Sequence, residues 1–135
     1  MIYLTRKEHF NAAHRLFNPK WSDEKNEAIF GKCANKHFHG HNYNLFVTVK
    51  GITDPDTGII INLKELSQVI NSRVIDKLDH KNLNLEVDFL SGIIPSTENL
   101  VKAIWKELES HVTSCVLHSI KLFETENNYA EYFGE

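Results

Sequence analysis

A chain of 135 residues with 41% hydrophobic and 24% charged side chains has the composition of one globular domain, spanning 1–135, and is too short for two ordinary ones. Fifteen basic against eighteen acidic residues leave no global charge to draw it to nucleic acid or a membrane surface, and no apolar run approaches the ~20 residues of a spanning helix. Two cysteines, Cys33 and Cys115, with no C-x-x-C exclude a disulfide framework, and Arg6 and Lys7 follow Met1 too closely for a secretory leader, so the expected compartment is the cytoplasm.

In chain order, Ile2, Leu4, Phe10, Ala12 and His14 share one parity, which predicts a first strand over Ile2–Leu16, bent near Lys7-Glu8. Residues 18–32 are polar and contain Pro19 and Gly31, so they read as a loop with room for one helical turn. A second strand runs from His39 to Gly51, with His39, His41, Tyr43, Leu45, Val47 and Val49 on one face. Asp54-Pro55-Asp56-Thr57-Gly58 is turn chemistry and leads into a short third strand at Gly58–Ile61, making a hairpin. Asn62 as N-cap, with Glu65 completing a capping box, starts a helix whose apolar residues Leu63, Leu66, Val69, Ile70, Val74 and Leu78 recur at three and four. It ends near Lys77. Residues 79–95 have no period. Ser96 or Thr97 caps a second helix with the stripe Leu100, Val101, Ile104, Trp105 and Leu108. A last strand covers Val116–Thr125, with Val116, Ile120, Leu122 and Glu124 on one parity. The order is β-β-β-α-α-β. Each helix has one apolar face, so the expectation is an α+β fold: a four-stranded antiparallel sheet with both helices on one side.

Eight histidines are the one compositional excess, and they cluster. His39 and His41 are two apart on a strand, so both imidazoles face the same way about 6–7 Å apart. Both can then reach one ion at the ~2.0–2.1 Å of a zinc–nitrogen bond. Gly40 between them clears the opposite face. His14, ending the neighbouring strand, makes a third ligand, and three histidines leave a fourth position open for water or substrate. A surface pair is the plainer reading of H-x-H taken alone; His9 and His37 rank behind the chosen three, and His111 and His118 read as structural or exposed.

Cys33, six residues before His39, is either a fourth ligand that closes the site or a nucleophile or base beside the cation, and spacing does not decide between them. Cys115 reads as a small buried residue. Asp79-His80 is either a proton relay or local capping. Glu124 places a carboxylate on an apolar parity, where burial would require a donor; otherwise it is strand fringe. Residues 1–36 carry seven basic against four acidic side chains. That surplus is a solvated surface or the seat of a phosphorylated small molecule.

Taken together the motifs resemble the 6-pyruvoyl-tetrahydropterin synthase family: Phe10-Asn11-Ala12-Ala13-His14-Arg15-Leu16, Cys33-x₅-His39-Gly40-His41-Asn42-Tyr43, Asp54-Pro55-x-Thr57-Gly58, Asn62-Leu63, Leu78-Asp79-His80-Lys81-Asn82-Leu83-Asn84, Thr97-Glu98-Asn99, Glu124-Thr125-x-Asn127-Asn128 and Gly134-Glu135. The resemblance runs nearly end to end. It implies 7,8-dihydroneopterin triphosphate as substrate, zinc on His14, His39 and His41, and Cys33 as the base that moves a side-chain proton. It implies Asp79 and His80 as the supporting relay, and Glu124 as the carboxylate that grips the pterin ring, with Thr97 and Glu98 beside it in substrate binding.

The implied architecture is the tunnelling fold, in which sheets from several subunits close into a barrel. The implied assembly is a homo-hexamer, a dimer of trimers with sites between subunits, so that His80 works across an interface. A pterin offers parallel N–H donors that a carboxylate can accept in pairs. A thiolate and an imidazole suit proton transfer at neutral pH. The Cys-x₅-His-Gly-His spacing favours the pyruvoyl branch over the 6-carboxy-tetrahydropterin branch of queuosine biosynthesis, which has a shorter spacing and releases acetaldehyde. A zinc module closed by Cys33 as Cys-His₃, without catalysis, is the competing reading of another class. Arg15, Lys32 and Lys36 are the candidate groups for the triphosphate.

Overall fold

The structure, a computed structural model, describes residues 1–135. Its strands are β1 (Ile2–His14), β2 (His39–Gly51), β3 (Lys81–Asn82), β4 (Val116–Phe123) and β5 (Tyr129–Tyr132). Its helices are α1 (Asp23–Phe30), α2 (Leu63–Ile70), α3 (Asp76–Leu78) and α4 (Thr97–Leu108). The strands form one sheet in the order β3-β1-β2-β4-β5.

β1 and β2 pair antiparallel without interruption from Ile2↔Gly51 to His14↔His39. This register puts even-numbered residues of β1 opposite odd-numbered residues of β2, which are the apolar parities of both strands. Phe10, Tyr43, Leu45, Val47 and Val49 are therefore fully buried on one face. The uninterrupted ladder also leaves no bulge at Lys7-Glu8. Glu8, on the apolar parity, accepts hydrogen bonds from Ser67 Oγ (2.7 Å) and Arg6 Nε (2.9 Å). Burial alone would raise its carboxyl, but these donors hold it below the usual range.

The helices cover that face. Leu66, Ile70, Val74 and Leu78 are all fully buried and four residues apart, a spacing that keeps them on one side of a helix. α2 is capped by the Asn62 side chain accepting from Lys64 N, and it passes through a π turn at Asn71–Ile75 into α3. Ser96 is the cap of α4, accepting from the Asn99 N–H at 3.2 Å. Leu100, Ile104 and Leu108 of α4 close the core against Ile120 and Leu122.

Four sequence expectations are corrected. Gly58–Ile61 is not a strand. β2 already has β1 on one side and β4 on the other, so no edge remains for the hairpin. The Asp54 turn does form, with Gly58 N donating to Asp54 O at 2.7 Å, but the chain then enters α2, burying Ile61 while Ile59 stays 47% exposed. The sheet has five strands and is mixed, because β3 joins β1 in parallel at Ala12–Ala13 and β5 returns antiparallel on β4. Residues 23–30 form two turns of helix rather than at most one, capped by Ser22. The last strand shifts register between Thr48 and Val49 of its partner, so Leu117 enters the core and Val116 is 56% exposed.

Candidate active site

The β1·β2 register brings the three histidines together. His14 faces His39 across the ladder, and the next same-face pair places His41 beside it. The rings meet edge to face, with centroids 4.6, 4.9 and 5.0 Å apart. One ring nitrogen from each lies within 4.8 Å of the other two, close enough for a single ion to touch all three.

The protonation pattern suits that use. His14 Nδ1 lies 2.8 Å from the carbonyl of Pro95. A carbonyl can only accept, so Nδ1 carries the proton and Nε2 presents its lone pair. The buried Nε2 atoms of His14 and His41 have no hydrogen-bond partner. Two orphaned imidazole nitrogens aimed at one point are what a metal ion would satisfy. Tyr43 closes the floor, fully buried and stacked on Phe10 at 4.7 Å, with its hydroxyl 3.4 Å from His14 Nδ1.

Desolvation pushes His14 and His41 below the ordinary histidine range, and it outweighs the opposing pull of Glu124 on both and of Pro95 on His14. In the unfolded chain both return to about 6.5. The unfolded state then binds more protons than the native state below that value, so native stability is lost as pH falls. Thermal unfolding in a chelator is expected to give a Tm that is flat above about pH 6.5 and declines as pH falls towards about 5. A Tm unchanged or rising over that interval would contradict this.

Glu124 sits one residue beyond β4 and faces the cluster. Its Oε1 is 3.6 Å from His41 Nε2, and its Oε2 is 3.9 Å from His14 Nε2. Thr97 Oγ1 donates to Oε2 at 2.8 Å. The donor that a carboxylate on this parity needs therefore comes from the first turn of α4. Glu98, the next residue, is exposed and its side chain makes no hydrogen bond, so the structure does not bring it to Glu124.

Cys33 is a free, half-buried thiol in a 3₁₀ turn, Gly31–Ala34. Its carbonyl accepts from Leu16 N at 2.8 Å, tying that turn to the chain two residues past His14. Its sulfur is not among the clustered ligand atoms.

Asp79 and His80 follow α3. Asp79 Oδ1 accepts the Asn11 N–H at 2.9 Å, and Oδ2 is 3.0 Å from His80 Nδ1. The Asn11 bond, more than His80, holds the Asp79 carboxyl below its usual range. The His80 ring is 76% exposed, and no hydrogen bond or ion pair links it to the three histidines. It borders an open cavity of about 500 Å³ that also touches His41, Asn42 and Glu86.

Some participants carried no usable sequence signal. Pro95 acts through its carbonyl, which no side-chain pattern reveals. Phe38 and His80 both have left-handed φ, 67° and 60°, unusual for residues with a Cβ. One directly precedes His39 and the other is the relay candidate. Tyr43 was legible by parity with His39 and His41, though its place beneath His14 was not.

The sequence model of the 6-pyruvoyl tetrahydropterin synthase family matches residues 3–135. A 6-pyruvoyl tetrahydrobiopterin synthase of Dictyostelium discoideum is 46% identical over 134 residues, covering 99% of this chain and 97% of the relative. A 6-carboxy-5,6,7,8-tetrahydropterin synthase of Bacillus subtilis is 28% identical over 138 residues, covering 96% and 83%. The solved structure of Caenorhabditis elegans 6-pyruvoyl tetrahydropterin synthase superposes with a TM-score of 0.93 at 36% identity, covering 99% of this chain and 96% of that one.

Proposed function

The chain belongs to the 6-pyruvoyl tetrahydropterin synthase family, and from that premise we propose that it is a zinc-dependent lyase. It converts 7,8-dihydroneopterin triphosphate to 6-pyruvoyl-tetrahydropterin with loss of triphosphate. The observation that carries this reading is the convergence of His14, His39 and His41, two with orphaned Nε2 atoms, beside the Glu124 carboxylate.

His14, His39 and His41 would hold the zinc, which when bound supplies Lewis-acid polarisation of the substrate's side-chain oxygens. Glu124, oriented by Thr97, accepts the paired N–H donors of the pterin ring. Cys33 as thiolate takes the carbon-bound proton of the side chain. His80, oriented by ionised Asp79, returns a proton. In one chain no hydrogen bond or ion pair joins the exposed His80 to the cluster, so we assign its work to an assembly in which the exposed side of one subunit meets the site of another. The edge strands β3 and β5 offer open backbone for that joining. A cytoplasmic homo-hexamer of single-domain chains, with sheets closing into a barrel, fits these edges.

The test is incubation of the purified chain with 7,8-dihydroneopterin triphosphate and identification of products by mass. The expected products are 6-pyruvoyl-tetrahydropterin and inorganic triphosphate. Acetaldehyde would assign the chain to the 6-carboxy branch, which the Bacillus subtilis relative represents. Absence of turnover would reject the enzyme reading.

A further inference from the structure

Glu8 has no part in the proposed chemistry, yet its carboxylate stands on the apolar parity of β1, paired across the ladder with fully buried Leu45. Its side chain is only 15% exposed, and a carboxylate so far from water needs donors. One oxygen, Oε1, takes all of them: Ser67 Oγ at 2.7 Å, Arg6 Nε at 2.9 Å and Asn71 Nδ2 at 3.3 Å. Ser67 and Asn71 stand four apart, on one side of the helix, and Asn71 opens the π turn. An apolar side chain at position 8 would suit the parity of the strand and cost no desolvation of a charge. The carboxylate adds direction: its hydrogen bonds fix a register that apolar contact alone would leave free to slide.

That register matters because the π turn sets the phase of the helix. At about 3.6 residues per turn, a four-residue step drifts by about 40°, so three such steps spread a stripe over about 120° of a straight helix. Leu66, Ile70, Val74 and Leu78 are nevertheless all fully buried. The wider turn, in which Asp76 N donates to Asn71 O five residues back, takes up part of the drift. It thereby delivers the end of α3 to β1. Asn11 N donates to Asp79 Oδ1 at 2.9 Å, and His80 N donates to Asn11 O at 2.6 Å. His80 is held there at a left-handed φ of 60°, a conformation that a residue with a Cβ keeps only under constraint. The segment from Ser67 to His80 is thus fastened to β1 at both ends, by Glu8 and by Asn11, three residues apart on one strand.

We propose that Glu8 is a positioning residue: through Ser67 and Asn71 it fixes the π turn, and with it the place of Asp79 and His80 on β1. The assignment of a catalytic consequence rests on the reading that His80 moves a proton.

The test is hydrogen–deuterium exchange of the full chain, read by mass spectrometry on peptides over 76–82, beside kcat and KM. In Glu8→Ala, exchange over 76–82 is expected to quicken by about ten-fold, the size of one lost hydrogen bond to a charged group. The β2·β4 ladder should exchange as in wild type. kcat should fall by about ten- to a hundred-fold, the order that a misplaced reacting group costs, with KM and bound zinc unchanged. Glu8→Gln keeps an acceptor oxygen for Ser67 and Asn71 and should recover most of both losses. Ser67→Ala and Asn71→Ala each remove one donor and leave the rest, so they keep the fold even if Glu8→Ala does not. The same pattern is expected of them, smaller in size. Alanine is the best helix former, so any loosening they show comes from the lost bond and not from helix propensity.

Unchanged exchange over 76–82, or equal quickening throughout the chain, would overturn the proposal. So would quickened exchange with kcat intact. If wild type does not turn over the substrate, the enzyme reading fails, and exchange alone decides whether Glu8 holds the segment: selective quickening supports it, and none overturns it.

Discussion

Replacing Cys33 with alanine is expected to lower kcat by about a thousand-fold while leaving zinc bound, within the ~10²–10⁴ that a positioned proton-transfer group supplies. The expectation separates the two roles that the Cys33-x₅-His39 spacing leaves open. A closing ligand would place its sulfur with the three imidazole nitrogens, but the group within 4.8 Å contains only His14, His39 and His41. The thiol sits instead in the Gly31–Ala34 turn, free and half-buried, tethered by its carbonyl to Leu16. Replacement should therefore leave metal content and fold unchanged. Loss of zinc in Cys33→Ala or Cys33→Ser, measured by metal analysis, would favour the non-catalytic Cys-His₃ module. Near wild-type turnover with zinc retained would remove Cys33 from the chemistry.

Glu124→Gln should reduce kcat/KM by about 10²-fold, the order expected when charge-assisted bonds to a ligand are lost. The carboxylate lies 3.6 Å from His41 Nε2 and 3.9 Å from His14 Nε2, so it lines the same space as the proposed metal. Glutamine keeps the shape and can still accept from Thr97, but it presents only one acceptor oxygen and no charge to a pterin. The loss should fall largely on pterin affinity, and binding of unphosphorylated neopterin should weaken with it. If neopterin binds Glu124→Gln as it binds wild type, Glu124 is not the pterin anchor.

Much of this site is legible in the sequence because two strands carry it. The even parity of β1 and the odd parity of β2 could each be read alone, and an antiparallel ladder aligned on both parities brings His14 to His39. The polar caps were legible for the same local reason: Asn62 and Ser96 each bond a backbone N–H within three residues. What stayed hidden is non-local. β3 is two residues long and exists only because β1 offers an edge at Ala12–Ala13. β5 depends on a reversal that Glu124 N closes on Asn128 O. α1 buries only Asn26, so it has no apolar period to detect. The Gly58–Ile61 run has strand composition, but neither side of β2 was free to receive it. The position of His80 is a third kind of case. Its adjacency to Asp79 is written in the chain, but its exposed place on the cavity that His41 also lines follows from where β3 docks.

The central claim is that the three histidines hold a zinc ion on which turnover depends, and metal content measured together with activity tests it most directly. Wild type stripped with a chelator and titrated with zinc should regain turnover of 7,8-dihydroneopterin triphosphate in proportion to bound metal, saturating near one equivalent per chain. His41→Ala, which removes one of the clustered nitrogens, should bind far less zinc and remain inactive throughout the titration. Full activity in the stripped chain, or wild-type zinc binding by His41→Ala, would contradict the account.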